Sequence, residues 1–201
     1  MSALSALHRR VCQCRNCPLG QADGVREDGS AFYHVPGEGP ENASLMIVGE
    51  APGAEEERTG RPFVGRSGRL LTEILAAAGL KREDIFITSI CKCRPPKNRT
   101  PLKTEIAACL PWLTDQFEAI RPRLVLAVGN VPSQTLLGVK TGINGLRGRF
   151  HQFTWNGRTM TLRPLFHPAY LLRNPRRVEG SPWDKMLRDL VEARQFLAGQ
   201  E

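Results

Sequence analysis

Short, fully apolar runs alternate along this chain with longer stretches of helical periodicity. Leu45-Met-Ile-Val48 is apolar at every position, as expected of a strand buried on both faces. It ends in the turn-forming sequence Gly49-Glu-Ala-Pro-Gly53. Gly68 to Ala78 places Leu70, Leu71, Ile74 and Leu75 on one helical face, with Gly79 as the stop. Ile85 to Ile90 reads as a second strand. Thr104 to Ile120 reads as a second helix, with Thr104 as its N-cap and Arg121-Pro122 beyond its end. Leu124 to Val128 is a third strand, followed by a short helix near Val131 to Leu137. Met160 to Phe166 is a fourth strand, and Pro182 to Leu197 is a closing helix. Strands alternating with helices predict an α/β fold in which a parallel sheet is covered on both faces. Residues 1–44 show no such pattern and read as an irregular N-terminal cap.

Folds of this class place ligands in the loops that follow the carboxyl ends of their strands. Two of those loops stand out: Gly49 to Gly53 after the first strand and His167 to Arg173 after the fourth. If those strands are neighbours, both loops open on the same edge of the sheet. The first is not a dinucleotide fingerprint, because G-x-G-x-x-G is absent. Its two glycines and proline make a tight turn that allows close backbone approach to a ligand.

At 201 residues the chain suits one domain with a core of its own. Lys and Arg number 28 against 20 Asp and Glu, a formal charge of +8 that points to a polyanionic partner such as nucleic acid. No apolar run approaches the roughly 18 residues that cross a membrane. Met1 to Arg10 lacks the apolar run of a secretory signal. The expectation is an intracellular protein, a setting where clustered cysteines mean metal or redox chemistry rather than disulfides.

Six cysteines give that expectation content. Cys14 and Cys17 form a C-x-x-C, which brings two thiolates within reach of one metal or one face of a cluster. Cys93 and Cys109, with fifteen residues between them, complete a four-thiolate set suited to zinc or an iron–sulfur cluster. Such a site would staple the N-terminal arm to the body of the fold. Cys12 and Cys91 each sit two residues before a candidate ligand and read either as alternative ligands or as packing. Glu50 is the one ionisable side chain in the Gly49–Gly53 turn, whereas Glu55, Glu56 and Glu57 read as a solvated run. Phe63, held between Pro62 and Gly65, is placed to stack on a planar ligand or to tuck into the core. His167, fixed by Pro168 after a strand, can donate a hydrogen bond into a cleft. Behind it an apolar pair, Leu171 and Leu172, precedes Arg173, Arg176 and Arg177. That is the pattern of a wedge entering a base stack while arginines hold phosphates.

Together these motifs resemble the family 4, iron–sulfur uracil-DNA glycosylases of the uracil-DNA glycosylase superfamily. The resemblance runs from Cys14-Arg-Asn-Cys-Pro-Leu19 to the final helix. It is carried by Gly49–Gly53, Thr59–Gly65, Lys92-Cys-Arg-Pro-Pro96, Asn98–Pro101, Ala108–Trp112, Thr141-Gly-Ile, Leu146-Arg-Gly148 and His167–Arg173. It implies a three-layer α/β/α sandwich around a mostly parallel, four-stranded sheet, forming a single domain over residues 1–201. It implies a [4Fe–4S] cluster on Cys14, Cys17, Cys93 and Cys109. The implied reaction is hydrolysis of the bond joining uracil to deoxyribose after the nucleotide is flipped out of DNA, the first step of base-excision repair. His167 would stabilise negative charge on the departing uracil. Glu50 would orient water or stabilise the sugar cation. Phe63 would stack on the base, and Gly49, Ala51, Gly53 and Ser89 would line the pocket. Leu171, with Leu172 as the near alternative, would be the wedge. Arg173, Arg94 and Arg99 would contact DNA. The expected protein is monomeric, cytoplasmic and nucleoid-associated, and acts on single- or double-stranded DNA.

The chain departs from the family pattern at three positions. Ser89 stands where the family has an asparagine that reads uracil's edge, and one hydroxyl cannot supply both halves of that contact. Ala51 stands where other branches of the superfamily carry a catalytic aspartate, as is typical of family 4. Ala169 replaces a common serine. No insertion with an extra histidine follows Cys93, so a covalent mechanism is not expected. Ser89 and Ala169 motivate an alternative, a damage-recognising DNA-binding protein of the same fold with weak or altered base specificity. A more distant alternative is a zinc-stapled binding module.

Overall fold

The computed structural model describes residues 2–20 and 34–199. Met1 and residues 21–33 of the expected N-terminal cap lie outside the described residues. Among the described residues five strands form one sheet: β1 (Leu45–Gly49), β2 (Ile85–Ser89), β3 (Leu124–Val128), β4 (His151–Trp155) and β5 (Arg158–Leu165), in the order β2-β1-β3-β5-β4. All pairings are parallel except the β4–β5 hairpin. The expected count of four strands is therefore corrected to five. The missed strand is an edge strand in which only Phe153 is buried, so it never shows the apolar run of its neighbours. At the opposite edge Glu38 exchanges two backbone hydrogen bonds with Ile87 and caps part of β2.

Alternation along the strands supplies two cores. Met46 and Val48 of β1, Phe86 of β2 and Val125 of β3 face one side of the sheet. They pack there against α1 (Ala3–Cys12), α4 (Lys103–Ile120) and α5 (Asn130–Leu137). Leu45, Ile47, Ile87 and Leu126 face the other side. They meet α3 (Arg66–Ala77), α7 (Pro168–Arg173) and α8 (Pro182–Ala198). The result is the expected three-layer α/β/α arrangement. Two short helices, α2 (Ala54–Thr59) and α6 (Ile143–Leu146), border the sheet edge where β1 and β5 end.

Two further expectations are corrected. The N-terminal cap is not irregular throughout. Leu4, Leu7 and Val11 recur at helical spacing and are the buried face of α1, and the Ser2 hydroxyl accepts from the Ser5 amide as its cap. Helix α4 begins at Lys103 rather than after Thr104. Its N-cap position is Leu102, whose amide donates to the Glu105 carboxylate at 2.7 Å, so an acidic side chain in the first turn does the capping.

The strand ends set the site. β1 and β5 are not neighbours, because β3 lies between them, yet all three are parallel and their carboxyl ends open on one edge. β5 is fixed to α8 by Arg163, a fully buried strand residue whose guanidinium donates to Asp189 and Glu192, both at 2.7 Å. Asp189 also accepts from Arg147. A buried charge is tolerated here because it is paired on two sides, and the pairing anchors the strand that ends at His167.

Candidate active site

A cavity of about 920 Å³ opens at this edge. Its walls come from the Glu50–Gly53 turn, the loop carrying Phe63, Ser89 at the end of β2, the Pro95–Thr100 loop and the His167–Arg173 segment. The structure thus brings together Glu50, Ala51, Gly53, Phe63, Ser89, Arg99, His167 and Arg173. The cavity's lining does not include Gly49, Leu171, Leu172, Arg94 or the four candidate cysteine ligands.

Phe63 is the most tightly held element. Its backbone adopts φ +49°, an uncommon conformation for an aromatic residue. Its neighbours impose it. A Cβ on Gly68 would lie 2.0 Å from the Phe63 carbonyl, so only glycine lets α3 approach this loop. A Cβ on Gly49 would lie 2.6 Å from the Phe63 ring, so the bare strand end is what seats the aromatic. Arg82 donates to the carbonyls of Pro62 at 2.7 Å and Phe63 at 3.1 Å while also pairing with Glu38. From the other side the Glu56 carboxylate accepts from the amides of Val64 at 2.8 Å, Gly65 at 2.7 Å and Gly53 at 3.1 Å. This corrects the reading of Glu55–Glu57 as a solvated run. Glu56 and Glu57 are both buried, and Glu57 pairs with Arg94. The third helical position of α2 is where a carboxylate turns back to backbone amides. Glu56 therefore had a sequence signal, whereas Arg82 had none, being distant in the chain from the loop it holds.

His167 lies at the cavity's other wall, its ring centroid 6.3 Å from that of Phe63. Burial lowers its pKa, and the Arg173 charge adds to that effect while Glu56 opposes it. The ring is therefore neutral near pH 7. Its Nδ1 accepts from the Ala169 amide at 3.1 Å. That bond assigns the proton to Nε2, leaving a neutral N–H donor. Glu50 is half-buried. Burial raises its pKa, and the neighbouring Thr100 hydroxyl acts in the opposite direction. A flat aromatic face, a neutral N–H donor and a carboxylate of elevated basicity thus share one cavity. That set suits a planar heterocycle carrying a carbonyl that gains negative charge.

Ser89 is buried at the cavity wall, and its hydroxyl oxygen would lie 3.0 Å from a Cβ on Gly49. Arg99 lines the cavity while pairing with Glu105 through both carboxylate oxygens. Arg94 donates to Asn98 and to buried Glu57, which ties it to its own loop and to α2. Leu171 is only 2% exposed and packs in the core beneath α7, whereas Leu172 is 36% exposed on the outer face. Helical geometry turns successive residues about 100° apart, so one leucine of the pair must face inward.

The four candidate cysteine ligands lie close enough to influence one another. Cys93 and Cys109 are buried, and Cys14 and Cys17 are partly so. The Cys93 thiol feels Cys109, Cys17 and Cys14 electrostatically, which places the four near one another. Among the described residues no group of three or more such side chains is disposed to hold a single metal ion. Two sulfurs already accept N–H donors: Cys14 from Trp112 Nε1 and Cys109 from the Lys92 amide, each at 3.2 Å. Lys92 itself is fully buried. Its ammonium donates to the Thr88 hydroxyl, the Ser89 carbonyl and the Gln116 amide oxygen, all neutral. A buried cation without a carboxylate, beside clustered thiols that accept N–H donors, fits an anionic thiolate-bound group. Cys91 is buried in the same core cluster as Cys109, and Cys12 is exposed.

Comparison with known proteins agrees with this geometry. Residues 36–191 match the sequence model of the uracil DNA glycosylase superfamily. The chain is 41% identical over 176 residues to a type-4 uracil-DNA glycosylase of Pyrobaculum aerophilum, covering 86% of each protein. It is 39% identical over 199 residues to one of Thermotoga maritima, covering 96% of this chain and 94% of the relative. A third, from Archaeoglobus fulgidus, is 37% identical over 179 residues, 87% of this chain and 86% of the relative. With its site geometry and its sequence in agreement over most of its length, the chain belongs to the uracil-DNA glycosylase superfamily, among its type-4 members.

Proposed function

We propose that the protein is a monofunctional DNA glycosylase that flips uracil out of DNA and hydrolyses its N-glycosidic bond, initiating base-excision repair. The observation that carries this reading is the neutral His167 donor sharing a cavity with Phe63 and Glu50. Bond cleavage leaves positive charge on the sugar and negative charge on uracil. The Nε2–H of His167, directed at uracil O2, meets the negative charge as it forms. A neutral donor gains most in the transition state, because its bond strengthens only as charge develops. Phe63 stacks on the flipped base. Glu50 orients the attacking water or stabilises the cationic sugar. The Glu50–Gly53 turn and the Ser89 hydroxyl line the base pocket.

Leu172 is the candidate for the wedge that fills the vacated stack, since it is the exposed member of its pair. Arg173, exposed beside it, and Arg99 are the candidates for phosphate contact. Cys14, Cys17, Cys93 and Cys109 would hold a [4Fe–4S] cluster. In such a cluster each sulfur binds a different iron. When bound, the cluster supplies a staple between the N-terminal arm and the Cys93–Cys109 loop. Residues 1–201 act as one domain and as a monomer, on single- or double-stranded DNA, in the cytoplasm at the nucleoid. No helix of the described residues is long and apolar enough to cross a membrane.

The test is release of free uracil from single- and double-stranded oligonucleotides by protein whose visible absorbance shows the intact cluster. No release at micromolar protein would overturn the reading. Ser89 favours a second reading, altered base preference, because its hydroxyl offers less to the base edge than an amide. A panel including hypoxanthine and xanthine separates the two. Base specificity unchanged by Ser89→Asn would remove the motive for the second.

A further inference from the structure

Trp112 lies on α4 three residues after Cys109, so the two share a helix face. Its ring is 9% exposed and packs in the core that α4 shares with α1. Its Nε1–H donates to Cys14 Sγ at 3.2 Å, across 98 positions of the chain. The backbone of Cys14 is already fixed. Its amide donates to the Val11 carbonyl at 3.0 Å, and its carbonyl accepts from His34 Nε2 at 3.1 Å. Trp112 therefore sets what the backbone leaves open, the direction of the sulfur. The Arg10 guanidinium lies 5.2 Å from the Trp112 ring centroid. A cation on the ring face draws electron density from the indole and strengthens its N–H as a donor. Cys109 is treated alike, since its Sγ accepts from the Lys92 amide at 3.2 Å. Each of these two sulfurs is held by a segment other than its own: Cys14 of the N-terminal arm by α4, and Cys109 of α4 by the residue before Cys93.

We propose that Trp112 is a positioning residue for the cysteine-bound cluster: its indole N–H aims the Cys14 sulfur as a ligand and stabilises the negative charge which that sulfur carries. This rests on the reading of Cys14, Cys17, Cys93 and Cys109 as cluster ligands. An indole has one donor and no acceptor, so its choice of partner is informative. A neutral thiol is a weak acceptor, whereas a metal-bound thiolate is anionic and a strong one. Trp155 packs against the same core and sends its Nε1–H to the Thr114 hydroxyl at 2.9 Å, the ordinary solution for an indole. Sulfur is the better partner at Trp112 once that sulfur is charged. Hydrogen bonds to cluster sulfurs also tune reduction potential, because they favour the form that carries more negative charge. Trp112 thus acts on the site in two ways, by geometry on Cys14 and by charge on the bound group.

The test compares wild type, Trp112→Phe and Trp155→Phe, purified without oxygen and assayed for iron and sulfide. Trp155→Phe is the control for losing a core indole whose N–H does not meet sulfur. The first readout is the potential for one-electron reduction at an electrode, which adds one negative charge to the bound group. Trp112→Phe should lower it by about threefold in the reduction equilibrium, roughly 30 mV for one electron. The second is the loss of visible absorbance in the presence of an iron chelator. It should be about tenfold faster in Trp112→Phe, as expected for losing one hydrogen bond to a charged group. Trp155→Phe should melt lower but keep the wild-type potential and rate. A Trp112→Phe protein with the wild-type potential and rate overturns the proposal and leaves the cluster reading standing. So does a Trp155→Phe protein that shifts both as far, since any core indole would then suffice. If Trp112→Phe does not load, nitrogen-15 NMR of the wild type decides. The chain has three tryptophans, so Trp155→Phe and Trp183→Phe assign the Trp112 indole by elimination. Its N–H resonance should be displaced and temperature-dependent beside the paramagnetic states of an iron–sulfur group; an ordinary, temperature-independent position overturns the proposal. Wild-type protein purified without iron and sulfide overturns the cluster reading and the proposal with it.

Discussion

Replacing Glu56 separates a solvated helix-start glutamate from one that holds the active-site loop. Its Oε1 accepts from Val64 and Gly65 at 2.8 and 2.7 Å, and its Oε2 from Gly53 at 3.1 Å. In Glu56→Gln the amide oxygen can keep the shorter pair, but the NH₂ group then faces the Gly53 amide, donor against donor. One bond is lost and two lose their charge assistance, a cost of about 2 kcal/mol. In Glu56→Ala all three amides lose their partner. The Gly65 amide is buried, so water replaces little of the loss, and the cost rises to about 4 kcal/mol. For a chain of this size each kcal/mol lowers Tm by about 2–4 °C. Gln should therefore melt roughly 4–8 °C and Ala roughly 8–16 °C below the parent. Phe63 rides between Glu56 and Arg82, so uracil release should fall in the same order, by about a hundredfold if the ring moves by about 1 Å. Far-UV circular dichroism melts and single-turnover release measure the two effects. A Glu56→Ala protein that melts within about 1 °C of the parent would refute the clamp, because a solvated glutamate costs this little.

Three further outcomes follow from the same contacts. Leu171→Ala should destabilise the fold by about 2–4 kcal/mol in urea titrations, since it empties a core position. Leu172→Ala should leave stability within about 0.5 kcal/mol and lower release from duplex more than from single-stranded substrate; equal effects on both DNA forms would count against the wedge. Gly49→Ala should fold yet lose roughly a hundredfold in single-turnover release, because its Cβ would displace the Phe63 ring from 2.6 Å; a change below about threefold would show that the ring's seat is not critical. The folded-state pKa of His167 is depressed, chiefly by burial. Below about pH 6.5 the unfolded chain takes up a proton that the folded chain refuses, so stability falls as pH drops through that value. Urea melts across that range should show the fall, and His167→Gln should reduce it; an unchanged pH dependence in that variant would place its origin elsewhere.

The sequence by itself determined the layers and the outline of the site. Apolar runs at 45–48, 85–90 and 124–128 became the three strands at the sheet's centre and one edge, because a strand buried on both faces has no polar alternation to obscure it. The turn at Gly49–Gly53 and His167 were legible because each is a local motif at a strand end, and Phe63 because Pro62 and Gly65 bracket it in a loop. Tertiary structure decided what depends on partners distant in the chain. β4 shows only one buried residue and is defined by its pairing with β5. Glu56 reads as one of three consecutive acids until the 61–65 loop brings its amides alongside. Arg82 carries no signal until the fold brings it to the carbonyls of Pro62 and Phe63. Which of Leu171 and Leu172 is buried rested on the rotation of α7 against the core, which no adjacent pair of identical residues can specify. A local motif names the chemistry available, but burial and hydrogen-bond partners, set by the whole fold, decide which side chains are free to perform it.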